Sequence, residues 1–337
     1  MKEETKLNES TGYWRGVWTE YKRDKLSVLA MFLIFSLFLV AVFDDLLAGK
    51  KPIIMKYQNN IYLPAVFNHK KLIGMDFSDQ DEIKDISSFV IFPPVKYSAT
   101  ENDLFSVLSP PDKNHYFGTD DRGRDVLSRM IHGTKISLSI GFVAVGIAFI
   151  IGITLGGIAG YYGGKTDFII SRLFEIMITF PVFFLILTIL AFRDPSIYNI
   201  MIVLGATGWT GIARLIRGDF LKIRNYDYIT AQRALGANDI RIMFVHILPN
   251  ALAPVLVAAT FGIAGAILTE SALSFLGFGV PPPTPSWGDV LSQSKKYIDF
   301  AWWLVIFPGL AIFLTVTSFN LVGEGFRNAL DPKLRGR

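Results

Sequence analysis

The chain contains no cysteine, which excludes disulfides, thiolate metal sites and a cysteine nucleophile. It is also short of charge. Asp, Glu, Lys and Arg make up only 18% of its 337 residues, against about 25% in soluble domains. The four histidines, His69, His115, His132 and His246, are scattered, and no two stand one helical turn apart in metal-ligand spacing. No metal site is expected from them. There is no serine elbow and no pair of carboxylates at matching depth, so no catalytic residues are expected. Any energy source must lie outside this chain. Internal repeats and low-complexity segments are absent as well, and a formal net charge of +4 matters only through where the basic residues lie. No nucleic-acid partner is expected.

What remains is apolar. Hydrophobic residues make up 51% of the sequence and the mean hydropathy is +0.40, the composition of an integral membrane protein in contact with lipid. Leu26 to Phe43 form the first long apolar run; Lys22, Arg23 and Lys25 precede it and no small-residue cleavage site follows. It reads as a retained anchor (26–43) rather than a signal peptide. Ahead of it, segment 1–25 places Trp14, Trp18 and Tyr21 at helical spacing on one face, which suits a short helix in the cytoplasmic headgroup layer. Met1 to Ser10 read either as part of that segment or as a disordered tail.

Residues 44–116 carry mixed charge and little sustained hydrophobicity. Two β-rich runs flank the turn formers Gln58, Asn59 and Asn60, and SFVIFPPVKYS is a further extended piece, predicting a small extracytoplasmic β-rich insertion. A short surface helix is expected within 117–135, with Val126, Leu127, Met130 and Ile131 on one face. Then come apolar runs at 136–161, 168–192, 197–216, 251–278 and 302–322, each of bilayer-spanning length. With the first run this predicts an all-α membrane protein of about six spans. Basic residues such as Arg214 and Arg217 close the inner ends, which puts both termini, including the tail at 324–337, in the cytoplasm.

Particular positions stand out. Gly152, Gly156 and Gly160 make a smooth ridge for close helix contact. Pro181 should kink the third span, where Arg172 and Glu175 are spaced to pair or snorkel. Glu270 has two readings: a carboxylate lining or gating a pathway, or an interhelical hydrogen bond near the outer interface. AGYYGGKT, from Ala159 to Thr166, satisfies a relaxed phosphate-loop pattern. Lying between two membrane runs with no other ATPase element, it is a glycine turn instead.

Between the fourth and fifth spans lies DYITAQRALGANDIRIMFVHILPN, Asp227 to Asn250. Good helix formers lead to Gly236, suited to a left-handed cap; Asn238 or Asp239 then caps a second helix, and Pro249 marks entry to the next span. A polar loop this long is usually functional. Ala231, Gly236, Leu248 and Pro249 resemble the cytoplasmic loop motif of ABC importer permeases, although Thr230 stands where that motif has Glu and Gln232 where it has a second Ala. HYFGTDDRGRDVLSRMIHGTKISLSIGF, His115 to Phe142, is similar to the segment before the second span in C-type subunits of dipeptide, oligopeptide and nickel importers. The long insertion resembles the oligopeptide and microcin C type.

The resemblance implies a type I importer permease fold and a coupling loop (218–250, within a core of 136–323) that includes Thr230, Ala231, Ala234, Gly236, Ala237, Leu248 and Pro249. It implies a B-type permease partner, two ATPase subunits that carry ATP and Mg, and an extracytoplasmic binding protein. The location implied is the bacterial cytoplasmic membrane, and the cargo a peptide or peptide-like compound. This chain would bind no cofactor itself. A channel or secondary transporter, and a membrane-anchored extracytoplasmic sensor, are the rival classes. The first would need matched polar or broken halves, which the sequence lacks; the second leaves the helix pair unexplained.

Overall fold

A computed structural model describes residues 13–67 and 69–330, apart from the side chains of residues 13 and 14. The basic residues of the tail, Lys333, Arg335 and Arg337, the segment Met1 to Ser10 and the Trp14 side chain lie outside that description. Among the described residues five helices are long and apolar enough to cross a membrane, or six if one bent pair counts as a span.

Helix α1 (Tyr13–Tyr21) precedes the first spanning helix, α2 (Lys25–Val42), whose N-terminus is capped by the Asp24 carboxylate accepting from the Leu26 amide. Tyr21 is buried against Phe326, its ring 4.7 Å away, and its hydroxyl donates to the Ser27 carbonyl at 2.9 Å. One face of α1 therefore packs on protein, with Val17 buried beside it. Trp18 stays half exposed under the Lys22 ammonium.

Beyond α2, a single turn α3 (Asp44–Leu47) leads into the insertion. Strands β1 (Ile54–Tyr57) and β2 (Asn60–Tyr62) form a hairpin whose turn residues, Gln58 and Asn59, both have positive φ, as the twist of a two-residue hairpin demands. After α4 (Gln80–Ile86), β3 (Phe89–Ile91) completes an antiparallel sheet of order β2-β1-β3. Met55, Tyr62, Leu72 and Ile83 make its small core. Strand residues are few; most of the insertion is turn and loop.

The expected surface helix is not a separate element. Residues 117–125 form a turn, and α5 then runs unbroken from Val126 to Tyr162 for 37 residues. Its first turns hold Arg129, His132 and Lys135, which gave a polar, surface-like pattern, yet Val126, Met130 and Arg129 are buried. Partners explain this. Arg129 is paired with Asp120 and Asp289, and Lys135 reaches Asp44 at 3.2 Å. Trp287 packs over Gly133.

The third span breaks harder than a kink. Helices α6 (Gly164–Thr179) and α7 (Val182–Ala191) meet at 82° around Pro181. Arg172 and Glu175 pair with each other on the exposed side of α6. Next, α8 (Ile197–Ile223) runs two turns past the expected exit, so the polar loop begins only after Ile223. Helices α9 (Asp227–Ala234) and α10 (Asp239–Arg241) form that loop, and a π-helical stretch, Ile242–Ile247, joins it to α11 (Leu248–Phe275). Short α12 (Trp287–Gln293) and the last long helix, α13 (Trp303–Leu330), complete the chain. The end of α13 lies against α1, so residues 324–330 belong to that helix rather than to a free tail.

Helices α5 and α8 make the most intimate pair. A methyl at Gly160 would lie 2.7 Å from the Arg217 carbonyl oxygen, and at Gly152 3.0 Å from that of Trp209, so only glycine lets these backbones approach. The ridge expected from the sequence is the α5–α8 contact.

Candidate functional site

The loop between α8 and α11 is built for a fixed shape. Helix α9 stops because Gly236 takes φ +82°, which an L-residue rarely adopts, and the Ala237 amide reaches back to the Gln232 carbonyl at 3.1 Å. Of the two capping candidates Asn238 acts: its side chain accepts from the Arg241 amide at 2.8 Å. The π-helical stretch follows from Pro249. Proline offers no N–H and its ring crowds the carbonyl four residues back, and the chain answers with a wider turn in which the Leu248 amide bonds Met243.

The expected loop residues divide by face. Ala237 and Leu248 pack on the apolar cluster that contains Ile229, Ile242 and Met243. Thr230, Ala231, Ala234, Gly236 and Pro249 are exposed. Around them Leu235 and Ile240 are 79% and 68% exposed, so the turn offers apolar surface with nothing over it in this chain.

Sequence reasoning missed how the loop is held. Tyr161, near the end of α5, is buried and donates its hydroxyl to Asp239 at 2.6 Å, while the Arg233 guanidinium lies 5.2 Å from its ring centre. Arg224 donates to the Gly160 and Tyr161 carbonyls, both at 3.0 Å. Arg217 of α8 grips Asp167 of α6 through two nitrogens. The one available signal was the density of Arg, Asp and Tyr around the glycine turn.

Away from the loop, the helices line a half-open cavity of about 340 Å³. Ala144 and Ala148 of α5, Ile186 of α7, Thr207 and Gly211 of α8 and Thr269 of α11 are among its lining, which contains no charged side chain. Glu270 is not there. It is fully buried and accepts hydrogen bonds from Ser274 at 2.7 Å and Ser286 at 2.8 Å. Its place is the hydrogen bond between α11 and the loop before α12, not the cavity wall.

At the insertion end of the bundle lies a second polar structure the sequence did not disclose. Asp120 takes Arg124 and Arg129, and Arg129 also binds Asp289 of α12. His115 meets Asp125 at 2.9 Å. Burial pushes both Asp125 and Asp289 above the ordinary carboxylate range, opposed at Asp125 by the Ser128 amide and His115, and at Asp289 by Arg129 and Arg124. Opposite charges set side by side make such burial tolerable. The cluster ties the start of α5 to α12.

Residues 152–336 match the family described as the inner membrane component of binding-protein-dependent transport systems, and residues 12–65 match the N-terminal membrane domain of oligopeptide transport permease C. The chain belongs to this permease family. A dipeptide transport permease DppC of Alkalihalophilus pseudofirmus is 45% identical over 255 residues, 74% of this chain and 84% of that protein. The DppC of Bacillus subtilis is 34% identical and aligns with 97% of this chain and 88% of its own length. An oligopeptide permease OppC of Bacillus subtilis is 39% identical over 73% of this chain and 81% of its own. Among solved structures, an inward-facing MetNI methionine ABC transporter matches at 21% identity and TM-score 0.49, covering 60% of this chain and 95% of its own.

As a C-type permease the chain is a multi-pass membrane component of an ABC importer.

Proposed function

We propose that this chain forms one half of the passage through which an ABC importer carries peptides across the bacterial cytoplasmic membrane. Its C-type relatives are named for dipeptide and oligopeptide transport. The passage is completed by a B-type permease, because the cavity is walled by α5, α7, α8 and α11 of a single set of helices. Two separate ATPase subunits bind ATP and Mg and hydrolyse the nucleotide. An extracytoplasmic binding protein delivers the cargo, and the insertion at 44–116 lies outside the membrane, where it meets that protein or shields the entrance.

The observation that carries the reading is the uncovered turn of the coupling loop. Leu235, Gly236 and Ile240 stand clear of the bundle while Ile229, Ile242 and Met243 anchor the other face, so a partner can push the turn and move α8 and α11 together. Thr230, Ala231 and Ala234 lie on the helix that enters a cleft of the ATPase, with Ala237 beyond its glycine turn and Leu248 and Pro249 at the exit. Arg214, Arg217, Lys222, Arg224, Arg233 and Arg241 gather at this end, which favours a cytoplasmic loop and cytoplasmic termini. A neutral cavity suits cargo whose side chains vary, leaving selection largely to the binding protein.

Site-specific cross-linking from Ala237 to the ATPase subunits, with and without an ATP analogue, in membranes holding the complete assembly, tests this. A nucleotide-sensitive cross-link is expected. An intact assembly that gives none from Ala237 or its neighbours would remove the loop from coupling and return the channel and sensor readings.

A further inference from the structure

The loop could follow its ATPase partner without moving the membrane helices unless something fixes it to them. Only two direct polar tethers run from the loop helices α9 and α10 to α5 among the described residues, and both converge on Tyr161. We infer that Tyr161 is the positioning residue that registers the coupling loop on α5, so that displacement of the loop becomes displacement of α5 and its partner α8.

The geometry is specific. Arg233 comes from the last turn of α9 and Asp239 opens α10, so the two groups bracket the Gly236 turn from either side. One ring receives both: the guanidinium over its face at 5.2 Å and the carboxylate at its hydroxyl at 2.6 Å. A hydrogen bond to a charged acceptor is stronger than a neutral one, and the cation above the ring adds an attraction of different direction. Between them they hold the turn against both tilt and slide. Gly236 itself supplies no contact that could do this, since nothing lies within 4 Å of where its side chain would be.

Behind the phenol the connection is stiff. Tyr161 is buried in the same apolar cluster as Phe220 and Ile242, one residue beyond Gly160, where α5 and α8 touch backbone to backbone. Arg224 at the end of α8 binds the Tyr161 carbonyl as well. A push on the turn therefore reaches α5 through the Tyr161 side chain and α8 through its covalent link to α9, and the two helices cannot slide apart. Without the phenol, α9 and α10 still dock but can pivot on Gly236.

This inference rests on the coupling role proposed for the loop, and one experiment separates the two. The complete importer is reconstituted in vesicles with wild-type Tyr161, Tyr161→Phe, Asp239→Ala and both together, and three quantities are read: the Ala237 cross-link, ATP hydrolysis, and peptide taken up per ATP consumed. Tyr161→Phe keeps the ring and its packing on Arg233 and removes only the hydroxyl. The expected result is an unchanged cross-link, ATP hydrolysis within about twofold of wild type, and uptake per ATP lowered about three- to tenfold, the range for losing a partly exposed bond to a charged acceptor. The double variant should fall no further than Tyr161→Phe alone, because both changes remove one bond. Uptake per ATP at the wild-type level in Tyr161→Phe, with the cross-link present, overturns the inference and leaves the coupling loop in place. Losses that add in the double variant overturn it too. Absence of the cross-link in the wild-type assembly is instead failure of the coupling role itself.

Discussion

Replacing Gly156 by alanine tests whether the α5–α8 contact holds this fold together, and Gly146 on the same helix provides the control. A methyl on Gly156 would overlap the carbonyl oxygen of Ala213 and lie 2.9 Å from its Cα and 3.0 Å from its carbonyl carbon. Ordinary carbon–carbon contacts fall at about 3.5–4.0 Å. The obstructing atoms are all backbone, so no rotamer change relieves them and the helices must part. Two effects compete. Alanine is the better helix former by about 0.5–1 kcal/mol, while overpacking a close interface costs about 1–3 kcal/mol, and parting these helices also loosens Gly152 and Gly160 on the same ridge. Overpacking wins, for a net loss of about 1–2 kcal/mol. At Gly146 nothing lies within 4 Å, so only the helix-propensity gain acts. Thermal unfolding of the assembled permease in detergent, followed by tryptophan fluorescence at one scan rate, should therefore place Gly156→Ala below wild type and Gly146→Ala at or above it. At about 2–4 °C per kcal/mol for a chain of this order, the two variants should differ by about 5 °C. If Gly156→Ala melts with Gly146→Ala, the ridge is not what joins α5 to α8.

Glu270 gives a second test. Glutamine retains an acceptor for Ser274 and Ser286, so Glu270→Gln should keep both stability and transport, whereas Glu270→Ala strands two buried hydroxyls beside a void and should cost about 2–4 kcal/mol. Stable Glu270→Gln protein that no longer transports would put the carboxylate back in the pathway. The third concerns pH. Burial, with Asp24 adding to it, pushes the Tyr21 hydroxyl up from 10.0 to about 12. The folded state thus holds this proton more tightly than the unfolded chain, so the stability it confers is complete below pH 10 and drains away as pH rises from 10 towards about 12. The melting advantage of wild type over Tyr21→Phe should be clear at neutral pH and shrink across that window; an advantage constant to about pH 12 would mean the phenol is solvated.

How far the sequence carries depends on whether a feature is local. Pro181 announces its break because a missing N–H and a fixed φ act on the residue's own turn. The same holds for Gly236 and Asn238, whose cap geometries are set by their own backbone and side chain, and for Gln58 and Asn59 at the hairpin. The glycine ridge of α5 is legible as a ridge because its spacing is helical, although its partner is not named by spacing.

Features made by distant residues behave differently, and the start of α5 shows why. Arg129 lies in a run of charges that, read alone, belongs on a surface, but Asp289 comes to it from 160 positions later in the chain. Glu270 is the mirror case: an isolated carboxylate in an apolar run suggests a cavity, until Ser286, 16 residues on, turns out to donate to one of its oxygens. Burial of a charge is a property of a pair, and half a pair cannot be interpreted. Tyr161 belongs with them. In the sequence it is an aromatic residue at the end of a span, where interfacial tyrosines are ordinary; in the structure it meets Arg233 and Asp239 from opposite sides of a turn more than 70 residues away, the hydroxyl bond alone spanning 78. The loop motif supplied the shape of the turn, because that shape is written in adjacent residues. The attachment that makes such a shape useful lies on another helix, where only the folded chain reveals it.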